Sequence, residues 1–427
     1  MPRLPRTAGQ ELPPHTWVAS GDRGFGGLAG RLRLPVWRTR DLKTRVLFWS
    51  LVALSVLLTL VIDIAITESM LSRGAAYVNS VFLFWGWSKF IHVISPAVLI
   101  YDPHALYAFE HGLVGAPSHH YPFAYPPSLL LLIWPLALAS PVISLLLWFG
   151  ISLALYAWAC WHRPWGLRTV FLSLMAPSTV AALFCAQTSL LAAALVIGGC
   201  RVIGKRPMLA GVLFGLLTFK PQYGLLLPVA LISARQWRSV IVATATALSM
   251  VVASGAAFGW AAWARLPSAM AVLSDLVARH PRFDHEFPTV TAGLRLLGAS
   301  RWMVDAGQLT GAACAALAIW VCFRRGFTPL AAAALMVGAF MVTPYASLYD
   351  LPMVSYAVLA VVIERHQSRQ PFGTVELLIL VMAVALPVVM AFHPLGFPWG
   401  VTTLVLLFGV ILRRIALLER IAIPGAA

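Results

Sequence analysis

The sequence predicts an all-α protein that crosses a membrane many times, and three observations support this fold class. Hydrophobic residues make up 60% of the chain and charged residues only 11%, whereas a soluble domain carries about 25% charged residues. The mean hydropathy is +0.83. Long apolar runs recur from Arg45 onward. They lack the period-two alternation of a membrane β-barrel, so each is read as a helix.

The apolar runs predict about 11–14 transmembrane helices within one membrane domain at about 45–420. Residues 1–44 form a basic tail, predicted to be disordered and cytoplasmic. Two longer segments, about 69–121 and 264–305, are expected outside the cytoplasm. Within the first, residues 81–100 are interpreted as an interfacial or re-entrant helix with tryptophans at headgroup depth. The spans are placed at about 46–66, 128–138, 141–158, 170–184, 190–203, 240–260, 306–322, 330–342, 351–363, 375–392 and 401–412.

The net charge of +16 is distributed as expected for a membrane protein and not for one that binds nucleic acid. Basic residues cluster in the N-terminal tail and in short loops such as Arg324-Arg325 and Arg413-Arg414. Such loops face the cytoplasm under the positive-inside rule. Membrane lipids are therefore expected partners, nucleic acid is not, and the predicted location is the inner membrane of a bacterium.

One stretch, from Lys205 to Arg238, organises the chain. It consists of two apolar runs with basic ends, interrupted by Lys220-Pro221-Gln222. Each run is too short to cross a hydrocarbon core of about 30 Å. Either both runs are arms of a hairpin, or one long helix kinks at Pro221. Lys220 lies at or within membrane depth in both cases. It is read either as an anion site in a water-filled cavity or as a lysine that snorkels to the surface.

Further polar groups stand beside predicted helix ends on the outer face. They are Asp63 with Glu68, Asn79-Ser80 to Asp102, and Pro344-Tyr345 to Tyr349-Asp350. A carboxylate there can act as a general base on a sugar hydroxyl, and a cation such as Lys220 can stabilise a phosphate leaving group. Each group taken singly is also compatible with an ordinary interfacial residue. Gln187 and Gln222 are read as substrate ligands or as interhelical hydrogen-bond partners.

No P-loop, dinucleotide-binding glycine pattern or HExxH motif is present. The five cysteines form no CxxC pair and are interpreted as small core residues. We therefore expect no metal and no cofactor.

The central stretch and several short motifs around it resemble glycosyltransferase family 87, also called the DUF2029 group. No single motif is specific, but their order and spacing along about 45–365 carry the resemblance. They are Tyr125-Pro126-Pro127, Pro135-Leu136-Ala137-Leu138, Ala186-Gln187-Thr188-Ser189 (where the family usually has Gly-Gln), Arg206-Pro207, Ala210-Gly211, Gly215, Lys220-Pro221-Gln222-Tyr223-Gly224-Leu225, Trp237-Arg238, Pro344-Tyr345 and Tyr349-Asp350-Leu351.

The resemblance implies a GT-C-like membrane hexosyltransferase. Its donor would be a polyprenyl-phosphate sugar, commonly mannose, and its acceptor a lipid or glycan on the extracytoplasmic side. The transfer would be metal-independent and inverting. Lys220 would hold the donor phosphate, with Gln222, Gln187, Tyr125, Tyr345, Tyr349 and Asp350 as further substrate-binding residues.

The same resemblance implies a catalytic carboxylate in the first outer loop. The family tends to carry Asp-Phe shortly before a Phe-Trp pair, but here Asn79-Ser80 precedes Phe84-Trp85. Asp63 is the first candidate to replace that carboxylate, followed by Asp102 and Glu68. Two alternatives stay open: a transporter or flippase of an anionic lipid-linked sugar, and a catalytically inactive relative.

Overall fold

The computed structural model describes residues 83–114, 122–162, 165–368, 371–392 and 396–421, together with positions 53 and 57. The predicted tail, all of the first span except those two positions, and the candidates Asp63 and Glu68 lie outside these ranges. The described residues are helical, with short 3₁₀ turns and no strand. The all-α prediction is therefore confirmed.

The described α-helices are numbered here in chain order. They are α1 Leu83–Val93, α2 Pro103–Val114, α3 Ser128–Ile133, α4 Pro141–Cys160, α5 Leu167–Leu174, α6 Pro177–Phe184, α7 Ser189–Val202, α8 Pro207–Gly215, α9 Leu227–Ser233, α10 Trp237–Phe258, α11 Trp260–Arg279, α12 Arg282–Glu286, α13 Val290–Leu296, α14 Arg301–Phe323, α15 Pro329–Val342, α16 Pro352–Ser368, α17 Thr374–Phe392 and α18 Trp399–Ile421.

Five of these helices, α4, α10, α14, α17 and α18, are long and apolar enough to cross a membrane. The pair α5 and α6, bent by 56°, makes a sixth candidate span. Exposed apolar side chains such as Leu146, Val252 and Leu317 cover the outward faces of the long helices, as expected for contact with lipid. The predicted 11–14 spans also include apolar helices of 10–17 residues, which are too short to cross alone.

Helix α15 forms the centre of the molecule. Every residue from Leu330 to Met341 is buried. A helix that is apolar on all sides is stable only inside a protein or a membrane, and here α14, α16 and α18 pack around it. Thr328 caps its N-terminus by accepting a hydrogen bond from the Ala331 N–H (3.1 Å), and Pro329 occupies the first helical position, where no N–H is needed.

The central stretch is a hairpin and not a kinked helix. Glycines bring α8 into close contact with α10: a Cβ on Gly211 would lie 2.7 Å from Val242, and one on Gly215 would lie 2.6 Å from the Ala243 carbonyl oxygen. Ser239 donates a hydrogen bond to the Pro207 carbonyl at the start of α8 (2.8 Å). Residue numbers therefore rise together along the two helices, which run parallel. The chain between them must return through α9, so Lys220 lies at the turn of the hairpin.

This register sets the depth of Lys220. Pro207 to Lys220 corresponds to about 20 Å of helix, and extending the offset to α10 places Lys220 about 10 Å before that helix ends at Phe258. Ser233, at the end of the returning arm, donates a hydrogen bond to the Trp320 carbonyl near the C-terminus of α14 (2.5 Å). The hairpin therefore enters from the side that carries Arg324-Arg325 and ends deep in the helical bundle.

A buried ion network closes that basic side of the bundle. Arg414 donates to Glu364 (3.1 Å) and Glu376 (3.0 Å), and Arg413 donates to the other oxygen of Glu376 (3.0 Å). The Arg414 guanidinium also lies over the ring of Phe372, 4.5 Å from its centroid. These contacts join one end each of α16, α17 and α18, so their ends are fixed relative to one another.

The described parts of the two outer segments pack against the opposite end. The α1 residues Trp85 and Ser88 donate to the carbonyls of Ala139 and Trp134, in the turn between α3 and α4. The interpretation of residues 81–100 as an interfacial or re-entrant helix stays a prediction. In the second segment, Thr289 donates to the Pro344 carbonyl (3.3 Å), which places the segment against the loop after α15.

The Gly215 contact provides a test of the hairpin. Gly215→Ala would set a methyl group 2.5 Å from the Thr246 Cβ and 2.6 Å from the Ala243 carbonyl oxygen, so the two helices must move apart. We expect the free energy of unfolding to fall by about 1–3 kcal/mol. Thermal unfolding in detergent, followed by size-exclusion chromatography, measures the change. Gly150→Ala on α4 is the control, because nothing lies within 4 Å of its added Cβ. Equal melting temperatures for the two variants would contradict the parallel packing.

Candidate active site

A buried ion pair between Lys220 and Asp350 forms the centre of the candidate site. The Lys220 ammonium is in direct contact with the Asp350 carboxylate, and both side chains are only 3% exposed. The ammonium also donates to the Ser189 hydroxyl (3.3 Å). A charge inside a membrane protein is costly without a partner and in general marks a functional site. The interpretation of Lys220 as a snorkelling lysine is therefore wrong.

Asp350 is held rigidly by the turn in which it lies. It ends the 3₁₀ turn Leu348–Asp350, and its second oxygen accepts a hydrogen bond from the Ser347 N–H (3.1 Å), as one half of a capping box. The first oxygen accepts from the Ser189 hydroxyl (2.5 Å) as well as from Lys220. Three donors on two oxygens therefore hold this carboxylate in a fixed position.

The break between α6 and α7 supplies Ser189. Helix α6 ends in a Schellman motif, with hydrogen bonds from Gln187 N to Ala182 O (3.2 Å) and from Ala186 N to Leu183 O (2.9 Å). Ala186 takes the left-handed position of this motif, with φ +48°, where glycine is favoured. The turn starts α7 with Ser189 beside Asp350, and the positive end of the α7 dipole therefore points towards the ion pair.

Aromatic residues surround the pair. The rings of Tyr223 and Tyr349 lie 5.4 and 5.5 Å from the Lys220 ammonium, in cation–π geometry. Tyr125 lies within electrostatic range of Asp350, and its hydroxyl donates to the Gln187 side-chain oxygen (2.9 Å). The site therefore combines one cation, one carboxylate, hydroxyl groups and ring faces.

Most of the residues predicted to bind substrate converge on this place. Lys220, Asp350, Tyr349, Gln187 and Tyr125 form the pair and its surroundings. Gln222 follows Lys220 in the half-buried turn Pro221–Gly224, and Tyr345 lies in the loop before Asp350, where its N–H donates to the Thr343 hydroxyl (3.1 Å). Ser189 and Tyr223 were not among the predicted site residues, although both lie inside the motifs that suggested the site.

Asp102 is the one predicted catalytic carboxylate that lies within the described residues. It is exposed and stands directly before α2, where its side chain accepts hydrogen bonds from the N–H groups of His104 (2.9 Å) and Ala105 (3.4 Å). These are the contacts of an N-terminal helix cap. Its contacts account for the start of α2, and its predicted catalytic role stays a prediction.

Glu110, in contrast, was not singled out from the sequence. It lies on α2, is half-buried, and accepts a hydrogen bond from the Trp87 indole (3.3 Å). Burial raises the pKa of the Glu110 carboxyl to about 7, an effect that the Trp87 hydrogen bond opposes. Trp87 in turn packs against Phe123 and Tyr125, with ring centroids 4.9 and 5.9 Å apart. One aromatic cluster thus connects Glu110 to Tyr125 and Gln187.

Among the described residues, no three histidine, cysteine or acidic side chains come together as a metal-binding group. The cationic groups near the candidate site are instead Lys220 and the N-terminus of α7.

Comparison with protein families matches residues 123–344, just over half of the chain, to glycosyltransferase family 87. The chain belongs to this family. No curated protein and no solved structure matches it. Together with the apolar helices, membership identifies a multi-pass membrane glycosyltransferase.

The family 87 match is narrower than the resemblance over about 45–365. It contains Tyr125, Gln187, Ser189, Lys220 and Tyr223. It begins after Asp102 and Glu110 and ends just before Tyr345, Tyr349 and Asp350. The cation of the site thus lies within the matched region, while its counter-ion and the candidate carboxylates of the first outer segment lie outside.

The ion pair makes a prediction about stability. Lys220→Met or Asp350→Asn alone would leave one buried charge without its partner, which typically costs about 3–5 kcal/mol of unfolding free energy. The double variant Lys220→Met with Asp350→Asn leaves no buried charge at this point, so most of the loss should be recovered. Melting temperatures of the wild type, the single variants and the double variant measure the coupling. Additive losses would show that the two side chains do not act as a pair.

Proposed function

We propose that this family 87 protein transfers a hexose, in the first instance mannose, from a polyprenyl-phosphate donor to a lipid or glycan acceptor. The observation that carries the proposal is the Lys220 ammonium at the turn of an apolar hairpin. The depth of Lys220 supports transfer on the extracytoplasmic side, because the hairpin enters from the basic face and ends towards the opposite one.

The site is suited to a lipid-borne phosphate. Two positive groups meet there, the Lys220 ammonium and the N-terminus of α7, and helix N-termini favour phosphate. The surrounding helices are apolar, so an isoprenoid chain can lie beside the hairpin while its phosphate reaches Lys220. Tyr223 and Tyr349 supply ring faces on which a sugar can pack.

In the absence of donor, Asp350 is the counter-ion of Lys220, and it occupies the position that the donor phosphate would take. The buried ammonium needs an anion at all times, because an unpaired charge would be expelled from the apolar interior. Donor phosphate would take over the contact with Lys220, while Asp350 keeps its hydrogen bonds from Ser189 and the Ser347 N–H. Asp350 is thus a positioning residue, and the donor must compete with it for the cation.

The chemical step needs a base for the acceptor hydroxyl, and Glu110 is the described carboxylate best suited to it. A general base works best when its pKa lies near the working pH, which is the case for Glu110, whereas the Asp350 carboxylate is already bound by Lys220, Ser189 and the Ser347 N–H. Glu110 would accept the hydroxyl proton as the acceptor oxygen attacks the anomeric carbon. The bond from that carbon to the phosphate oxygen would break, and polyprenyl phosphate would leave with its charge stabilised by Lys220.

A variant that keeps its stability separates the anion site from its structural role. We expect Lys220→Met with Asp350→Asn to be stable but unable to transfer sugar, because the cation that holds the phosphate is absent. The assay is transfer of radiolabelled mannose from polyprenyl-phosphate mannose by protein in proteoliposomes. Lys205→Ala is the control, since Lys205 is an exposed lysine at the opposite end of the same hairpin.

Wild-type rates in the double variant would rule out Lys220 as the phosphate ligand. If wild-type protein moves the labelled lipid across the bilayer without forming a new glycosidic bond, the protein is a flippase and not a transferase. A protein that binds the donor and does neither is the inactive relative.

The Glu110 assignment predicts a pH dependence. The base must be deprotonated, so kcat should rise with pH through about 7 and level off above it, following the raised pKa of Glu110. In Glu110→Gln, kcat should fall by roughly 10²–10⁴-fold and lose this dependence. Asp102→Asn is the matched control, because Asp102 only caps α2. If Glu110→Gln keeps its rate while Asp63→Asn abolishes transfer, Asp63 is the base.

A further inference from the structure

A second polar feature lies outside the ion-pair site, in a small cleft between the second outer segment and the start of α18. It is lined by Asp284 and Phe287 on one side and by Phe397, Trp399 and other residues of the α17–α18 connection on the other. The enclosed space is about 10 Å³, enough for a single water-sized group. The cleft therefore accepts one hydroxyl group and not a whole ring.

The Asp284 carboxylate supplies the polar wall of the cleft. Its Oδ1 atom is buried and forms an ion pair with the Arg295 guanidinium at 3.6 Å, but no donor among the described residues comes within hydrogen-bond distance of it. Burial raises the pKa of Asp284, and Arg295 opposes the shift. A buried acceptor oxygen of this kind is in general satisfied by a ligand or a water. A hydroxyl group that donates to it would form a charge-assisted hydrogen bond.

Aromatic rings form the rim. Phe397 and Trp399 pack against each other with centroids 4.7 Å apart, and Phe397 is 41% exposed. The wall behind them is rigid, because glycines allow backbone contact there. A Cβ on Gly400 would lie 2.6 Å from Pro288, and one on Gly293 would lie 2.3 Å from Val401. A carboxylate beside exposed rings on such a wall can bind one hydroxyl of a sugar while a ring face packs on the sugar.

The cleft faces the same side of the molecule as the hairpin turn. Helix α12, which carries Asp284, ends at Glu286, and three residues later the Thr289 hydroxyl donates to the Pro344 carbonyl in the loop before Asp350. Glu286, two residues after Asp284, lies within electrostatic range of Cys185, as does Asp350. The second outer segment thus links the cleft to the edge of the ion-pair site.

We propose that this cleft is a binding subsite for a neutral pyranose of the acceptor, with Asp284 accepting a hydrogen bond from one sugar hydroxyl and Phe397 packing against the ring. This proposal rests on the proposed function only in assigning the bound sugar to the acceptor. Binding of the sugar ring itself is a property of Asp284, Phe397 and Trp399, and it requires no turnover.

The test uses methyl α-mannoside as the probe and the full chain in lipid nanodiscs. Saturation-transfer NMR measures its binding to the wild type, to Asp284→Asn and to Phe397→Ala. We expect the dissociation constant to rise by about tenfold or more in Asp284→Asn, since a hydrogen bond to a charged group is lost. Phe397→Ala should also weaken binding. Because Phe397 is exposed at the rim, we expect Phe397→Ala to keep its fold. It therefore tests the subsite even if Asp284→Asn unfolds.

The variant Lys220→Met with Asp350→Asn separates this proposal from the proposed function. Methyl mannoside should bind it as it binds the wild type, even if sugar transfer is abolished or was never present. The subsite is wrong if the wild type gives no transfer of saturation, or if binding is unchanged in both Asp284→Asn and Phe397→Ala. A water that occupies the cleft as a purely structural ligand would give that second result.

Discussion

The structure depends on keeping one ammonium group inside an apolar bundle. Lys220 is stable there only because three distant segments meet around it: the hairpin turn, the α6–α7 break with Ser189, and the Ser347–Asp350 turn. Each segment interrupts a helix at the same depth, which leaves backbone and side-chain polar groups where a continuous helix would leave none. An ion pair in such surroundings gives little net stability, since desolvation of both charges offsets their attraction. Its presence is better explained by a substrate that needs the cation.

The two ends of the bundle differ in how their charged side chains are held. At the basic end, Arg414 donates hydrogen bonds to Glu364 and Glu376, which neutralise its charge and fix the ends of α16, α17 and α18. At the other end, among the described residues, Glu110 accepts a hydrogen bond from the Trp87 indole, and the Asp284 Oδ1 atom has an ion-pair partner in Arg295 at 3.6 Å but no donor within hydrogen-bond distance. A carboxylate held loosely can exchange protons or accept a hydroxyl, whereas one held by several donors cannot. These two carboxylates lie on the side away from the arginine network, which is the side where we propose that transfer takes place.

Much of the fold follows from local signals in the sequence. The starts of α4 at Pro141 and of α15 near residue 330 were predicted almost to the residue. At both places an apolar run begins at a proline or beside a capping hydroxyl. The hairpin could not be separated from a kinked helix, since the deciding contact joins Gly211 and Gly215 to α10. Likewise, the pairing of Lys220 with Asp350 across 130 positions is tertiary information. Glu110 was missed because nothing in Phe109-Glu110-His111 signals burial; its environment is created by Trp87.

The distance between the Lys220 nitrogen and the donor phosphorus tests most directly whether Lys220 holds the donor phosphate. The chain has lysines at only four positions, 43, 89, 205 and 220, so ¹⁵N-lysine labelling gives few signals. Solid-state NMR of the protein with polyprenyl-phosphate mannose in lipid bilayers can measure ¹⁵N–³¹P dipolar coupling. We predict a strong coupling at one ammonium signal, because a charge-assisted hydrogen bond holds nitrogen and phosphate oxygen about 2.7–2.9 Å apart. This signal should disappear in Lys220→Arg. Bound donor with no coupling to Lys220 would contradict it.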